Sequence, residues 1–281
     1  MLKRYYENED IIKLKPIIRS EEEATELSEK LKISLYSAKR DIEWFCINGE
    51  YYRFKFFDSF YPILNELVGP KIAKTINLKT VENIPAVLEY NPKLKFYGIL
   101  SKNFMKPDCS YVTMYQLGFK HGKQPTYKNF DKFKKFCHPN DYYENVKSIF
   151  KMTCLDYIME QVDRVGCNFL FEKRNESLSF APLFDYAEAY GYAKKGCSFN
   201  KKENPYLEFS VGNVFVTPTL GEFQFKRLLK KEPQFNDTIN TLSRIDLIKI
   251  LKEIRMETKL KITEHYFEHY DSMTKEKQKR L

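Results

Sequence analysis

The stretch that most constrains this chain is Cys154–Asp185, reading CLDYIMEQVDRVGCNFLFEKRNESLSFAPLFD. An apolar helical run ends near Gln161, Asp163-Arg164 follow, and Asn168 comes five residues after the Asp. Two short β-like runs, Asn168–Glu172 and Leu178–Leu183, then read as a hairpin, and Asp185 closes the unit. A carboxylate, an amide a short loop later and a second carboxylate beyond a hairpin are the groups that phosphoryl transfer needs. Asp163 is suited to accept the proton of an attacking hydroxyl, while Asn168 and Asp185 offer the hard oxygens that Mg²⁺ prefers. Mg²⁺ keeps several waters, so these two side chains beside the phosphates of ATP suffice to hold it.

The same residues resemble the HipA-like serine/threonine kinases, whose catalytic loop reads D-R-H-x-x-N-[FW] and whose metal-binding segment reads A-P-L-[FY]-D. Ala181-Pro182-Leu183-Phe184-Asp185 matches the second motif in full. Asp163, Arg164, Asn168 and Phe169 match the first, with Val165 in place of its His and Glu160 in place of a frequent Gly. A lone D-R-x-x-x-N is usually a surface ion pair on a loop; two motifs in the right order are far more specific. The resemblance implies an α+β chain with a bilobal protein-kinase-like fold, a small β-rich N-lobe and a mostly helical C-lobe. It also implies an ATP- and Mg²⁺-dependent kinase acting on a protein hydroxyl, and a small DNA-binding antitoxin as partner.

Upstream residues extend the reading. Trp44–Ile47 and Tyr51–Phe57 alternate around Asn48-Gly49, the signature of a tight hairpin, and Lys55 lies in its second strand. A helix is expected around Ile63–Ile76, with Ile63, Leu64, Leu67, Val68 and Ile72 as its apolar stripe and a kink at Gly69-Pro70. Glu66 lies off that stripe, eleven residues after Lys55. In the resembling family such a Lys neutralises the ATP phosphates and such a Glu positions it. The family's phosphate-holding loop falls by position near Ser34–Arg40, where this chain has no glycine. Backbone amides cradle phosphate poorly without glycine, so Ser34, Ser37 and Lys39 are expected to contribute side chains. The family's loop can carry a self-phosphorylated serine, which implies modification of Ser37 or Ser34.

Residues 20–45 carry a second resemblance, to the helix-turn-helix half of winged-helix regulators. Ser20 and Glu23 form a capping box, Ala24, Leu27 and Leu31 share one helical face, and Ile33-Ser34 reads as a turn before a second helix over Leu35–Phe45. On that reading the hairpin is the wing, and Lys30, Lys32, Lys39 and Arg40 contact DNA phosphates. Binding of a specific DNA sequence is not expected if Lys55 and Glu66 commit the segment to a kinase lobe.

Val87–Glu89 and Lys95–Leu100 read as further strands, with an adenine-gripping hinge near Ile99–Asn103. Asn140 or Asp141 is placed to cap a helix running to Gln161. The segment after Asp185 takes the place of an activation segment, and helices are expected over Phe223–Leu229, Ile245–Ile254 and Lys261–Arg280. His265 and His269, four apart, read as surface residues rather than metal ligands. The organisation expected is a helical preface over 1–43, an N-lobe over 44–101 and a C-lobe over 102–281.

Charge alone selects no partner: the net +9, from 47 Lys and Arg against 38 Asp and Glu, suits ATP, nucleic acid or an acidic protein equally. Six cysteines without a CxxC pair read as reduced thiols of a cytoplasmic protein, and neither a signal peptide nor a membrane-spanning run is expected. Two alternatives stay open. One is a DNA-associated regulator with an altered kinase-like domain; the other is a kinase of the same fold acting on a small-molecule or lipid hydroxyl.

Overall fold

Asn48 and Gly49 have φ of 52° and 81°, the left-handed values that a two-residue I′ turn requires at both central positions. They join β2 (Trp44–Ile47) to β3 (Glu50–Phe56) as an antiparallel pair. The computed structural model describes residues 2–6, 10–31, 33–40, 43–117, 133–161, 164, 168, 170–190 and 236–279. With β4 (Asn83–Asn91) and β5 (Leu94–Lys102) the hairpin belongs to a five-stranded sheet in the order β1-β4-β5-β3-β2. The edge strand β1 (Ile12–Leu14) pairs parallel to β4, so residues 1–43 are not only a helical preface but also supply a strand of this sheet. Three residues are too few for an alternation to stand out in a sequence. Ahead of β1, buried Tyr5 stacks on Phe60 at 4.0 Å and meets Tyr266 edge-on at 5.8 Å.

Two helices connect β1 to β2. In α1 (Glu21–Leu31) the capping box forms: Glu23 N donates to Ser20 Oγ at 3.1 Å and Ser20 N to Glu23 Oε2 at 2.7 Å. Ala24, Leu27 and Leu31 are buried against Ala38 and Trp44, so the expected stripe is the one used. The second helix, α2 (Leu35–Lys39), is shorter than expected, and Ser34 caps it.

The long helix α3 (Phe60–Thr75) buries most of its residues, and it continues through Pro70. Proline has no N–H to give the carbonyl four residues back, which here belongs to Glu66. Asn83 on β4 takes that acceptor, its Nδ2 donating to Glu66 O at 2.6 Å. Among the described residues the second part is mostly helical, beside a small antiparallel sheet of β6 (Ser110–Thr113), β7 (Leu170–Arg174) and β8 (Ser177–Phe180). α4 (Pro139–Met159) is capped by His138, just ahead of Asn140 and Asp141, because Pro139 is well suited to the first helical position. Among the described residues, α5 (Asn236–Leu242), α6 (Leu247–Thr258) and α7 (Glu264–Gln278) follow. Their apolar faces, with those of α3 and α4, form one continuous core. Residues 191–235, which include the expected Phe223–Leu229 helix and most of the activation-like segment, lie outside the described residues.

Gly69 marks a close approach within that core. A Cβ there would lie 2.4 Å from Cδ1 of the Tyr186 ring. Gly69→Ala in an open helix would add ~1 kcal/mol of stability, but overpacking against a buried ring costs ~1–3 kcal/mol, so the clash should win. Urea unfolding is expected to show Gly69→Ala destabilised, and pairing it with Tyr186→Leu should cost less than the two changes summed. A Gly69→Ala protein as stable as wild type would show that the ring yields.

Candidate active site

Lys55 stands opposite Ile99 in the β3–β5 ladder, largely shielded from solvent by the strands around it. Its ammonium lies 2.9 Å from Glu66 Oε1 on α3 and 3.3 Å from Asp185 Oδ1. Glu66 is fully buried, and its second oxygen accepts from Asn83 Nδ2 at 3.2 Å. Asn83 in turn accepts from Ser101 Oγ at 2.7 Å, which links this pair to the end of β5. Burial pushes the Lys55 ammonium down, but Glu66 and Asp185 outweigh it and hold its pKa above the ordinary value. Burial pushes Asp185 up, yet Lys55 and Arg164 outweigh it and hold this carboxyl below the usual carboxylate range. Both groups are therefore charged at neutral pH.

Asp185 sits in the left-handed region, at φ 64°, and is held on both sides. Leu183 exchanges backbone bonds with the segment after α3: its N donates to Lys79 O at 2.8 Å and its O accepts from Val81 N at 3.0 Å. Buried Gln161 donates from Nε2 to Asp185 O at 2.8 Å. Beyond Asp185, fully buried Asn65 donates to Ala187 O at 2.7 Å and Ala189 O at 2.8 Å, and accepts from Tyr270 OH.

Arg164 organises the preceding loop. It is completely buried, with Nε 3.2 Å from both oxygens of equally buried Asp156 on α4. Its Nη1 donates to the carbonyls of Asn168, at 3.0 Å, and Phe184. One guanidinium therefore ties α4, the loop bearing Asn168 and the segment bearing Asp185 together. Asp163, Val165 and Phe169 lie outside the described residues. The sequence motif names Arg164 but not its partner, because nothing in the helical pattern of 139–159 distinguishes Asp156 from a surface carboxylate.

A cleft of about 460 Å³ opens beside Lys55. Val81, Phe104, Met105, Leu170 and Phe184 give it apolar walls, with Ser101–Asn103 where the hinge is expected. Such a volume, apolar walls and a few convergent charges suit a small-molecule ligand. Ser34 and Ser37 also line the cleft; Ser34 is exposed, while half-buried Ser37 accepts from Trp44 Nε1 at 3.0 Å. Lys39 departs from expectation. It pairs with Glu21 at 2.6 Å and is not among the lining residues; Arg40 and Arg53 are. The structure thus gathers Lys55, Glu66 and Asp185, brings Ser34 and Ser37 to the same cleft, and leaves Lys39 outside it.

The helix-turn-helix pattern is present as α1 and α2, but the hairpin is not a free wing. β3 is paired with β5 from Tyr52↔Lys102 to Phe56↔Gly98. Lys30 bonds to Tyr51 OH, Arg40 pairs with Glu43, and Lys32 lies outside the described residues. His265 and His269 contact Tyr61 OH at 2.8 Å and Tyr190 O at 3.1 Å. Among the described residues no group of three His, Cys or carboxylate side chains is placed to hold a metal.

A five-stranded sheet carrying a lysine, a helix carrying its glutamate partner and a helical second part define a protein-kinase-like fold, α+β in class. No protein-family model matches the chain, and no curated protein does. Solved structures do. The Helicobacter pylori proinflammatory kinase CtkA is similar at a TM-score of 0.58 and 16% identity, over 85% of this chain and 90% of that one. HipA, from the Shewanella oneidensis MR-1 toxin–antitoxin complex of HipA, HipB and operator DNA, is similar at a TM-score of 0.52 and 13% identity. That match covers 83% of this chain and 58% of that one. The chain therefore has a HipA-like kinase fold.

Asp156→Asn keeps the shape of the side chain but leaves a buried guanidinium without its counter-charge. Removing one partner of a buried pair costs ~3–5 kcal/mol. Chemical denaturation is expected to show a loss of that size; a change within experimental error would mean that Arg164 finds another partner.

Proposed function

We propose that this chain is an ATP- and Mg²⁺-dependent kinase that transfers the γ-phosphoryl group to a serine or threonine hydroxyl of a protein. The observation that carries the reading is the convergence of Lys55, Glu66 and Asp185 beside a cleft with apolar walls. Lys55, oriented by Glu66, would neutralise nucleotide phosphates, and the apolar walls would take the base. Asp163, next to buried Arg164 in sequence, would accept the proton of the acceptor hydroxyl. The donor set suits Mg²⁺: Asp185 is ionised and only partly buried, and Asn168 lies on a loop anchored by the same guanidinium that binds Phe184 O. Asp185 and Asn168 would hold the ion, which when bound supplies neutralisation of the charge that develops on the transferred group.

The proposed lobes are 44–101 and 102–281, with 1–43 as a preface that shares its β1 strand with the first. By analogy with the HipA structure, which contains HipB and operator DNA, a small DNA-binding antitoxin is the proposed partner. Among the described residues no helix is long and apolar enough to cross a membrane, and the proposed location is the cytoplasm. A DNA-binding role for residues 20–57 is disfavoured because β3 is committed to the central sheet.

The test is incubation of the protein with labelled ATP, Mg²⁺ and a cell lysate, reading which class of molecule takes up label. Protein serine and threonine are expected; label confined to lipid or small molecules would replace the acceptor and keep the chemistry. Asp163→Asn is expected to slow transfer by ~10²–10⁴-fold with nucleotide affinity retained. Asp185→Ala and Asn168→Ala should shift the Mg²⁺ titration to higher concentration. Wild-type turnover in Asp163→Asn would remove that residue as the base.

A further inference from the structure

The first glycine of the chain is Gly49, so no glycine-rich segment precedes the hairpin to cradle phosphates with backbone amides. The structure offers charged side chains in that place. Glu43 is buried, at 5% exposure, and its backbone is fixed to β3 by Phe54 N donating to Glu43 O at 2.7 Å. Its two carboxylate oxygens face two different arginines: Oε1 accepts from Arg53 Nε at 2.8 Å, and Oε2 lies 3.3 Å from Arg40 Nη1. Both arginine side chains are roughly half exposed, at 51% and 41%, and both line the cleft that holds Lys55.

One arginine would neutralise Glu43; two leave an excess positive charge on the cleft wall. Among the described residues no other ion pair or side-chain hydrogen bond engages either guanidinium. Arg53 is two residues from Lys55 on β3, so both side chains leave the same face of the sheet while Phe54 is buried on the other. A buried carboxylate that fixes one edge of each guanidinium leaves other N–H groups directed to solvent, which suits the bidentate recognition of phosphate oxygens.

We infer that Arg53 and Arg40, braced by Glu43, form a phosphate-binding subsite that takes the terminal phosphates of a nucleoside triphosphate in place of a glycine-rich loop. The inference rests on the nucleotide-dependent reading of the cleft. Arg53 and Arg40 add to Lys55 the one positive charge that Glu43 leaves unmatched, together with the unengaged N–H groups of both forks, and Glu43 acts as a positioning residue.

Affinities of the full chain for ATP, ADP and adenosine, measured by titration calorimetry for wild type, Arg53→Gln, Arg40→Gln and Glu43→Gln, test this. Each arginine substitution is expected to weaken ATP by ~10- to 100-fold and ADP less, and to leave adenosine within about twofold. Arg53→Lys, which keeps charge but not the fork, should recover only part of the loss. Glu43→Gln should weaken ATP relative to adenosine as well. Should Arg53→Gln fail to fold, Arg40→Gln, on a half-exposed side chain outside the sheet, carries the comparison alone. An ATP-to-adenosine affinity ratio unchanged in the arginine variants overturns the subsite while the kinase reading stands. A wild-type chain that binds no nucleotide overturns both.

Discussion

The burial of the Glu66 carboxylate is the constraint on which the rest of the structure turns. An ion removed from water loses several kcal/mol of solvation and is tolerated only with a close counter-charge and filled hydrogen-bonding positions. Lys55 supplies the charge and Asn83 the second bond. Lys55 belongs to β3, Asn83 to β4 and Glu66 to α3, so satisfying one carboxylate requires sheet and helix to dock together, and Lys55 then reaches Asp185 in the segment after β8. Asn83 joins two needs in one side chain. Its Nδ2 reaches both the Glu66 carboxylate and the Glu66 carbonyl that Pro70 leaves without its usual donor. The proline that breaks the hydrogen-bond ladder of α3 thus creates the acceptor that fixes the helix against β4.

Two further buried polar side chains extend this frame toward Asp185. Arg164 gathers Asp156, the Asn168 carbonyl and the Phe184 carbonyl, and its charge persists because Asp156 outweighs the cost of burial. Asn65, next to Glu66 on α3, holds the chain beyond Asp185 and accepts from Tyr270 of α7. The left-handed backbone of Asp185 is therefore clamped from both directions, and the C-terminal helix reaches the site through one amide. A non-glycine residue at positive φ persists where its surroundings over-determine it, and such positions concentrate at functional sites.

The region before the hairpin shows how one sequence carries two resemblances. The capping box, the Ala24, Leu27 and Leu31 stripe and the short second helix satisfy the helix-turn-helix pattern locally. The hairpin after them departs from a winged helix, because β3 finds β5 as its neighbour and the hairpin becomes the edge of a larger sheet. The short helix then lies along the cleft wall where a phosphate loop would be expected, with Ser37 bonded to Trp44 rather than free to rotate.

The sequence by itself determined what depends on neighbours along the chain. The Asn48-Gly49 turn was legible because only residues tolerant of positive φ fit there, and the buried face of α1 because its period is set within eleven residues. The order of Lys55, Glu66, Arg164, Asn168 and Asp185 was legible as motif, and with it the α+β kinase-like fold. Only the tertiary structure decided which of these meet. Lys55 and Asp185 are 130 residues apart, and no periodicity records such a contact. It likewise decided that β1 joins the sheet, that Asp156 is the partner of Arg164, and that Lys39 pairs with Glu21 while Arg40 and Arg53 face the cleft. Each of those outcomes is set by burial and by charge across space, and a surface lysine and a cleft arginine look alike in a sequence.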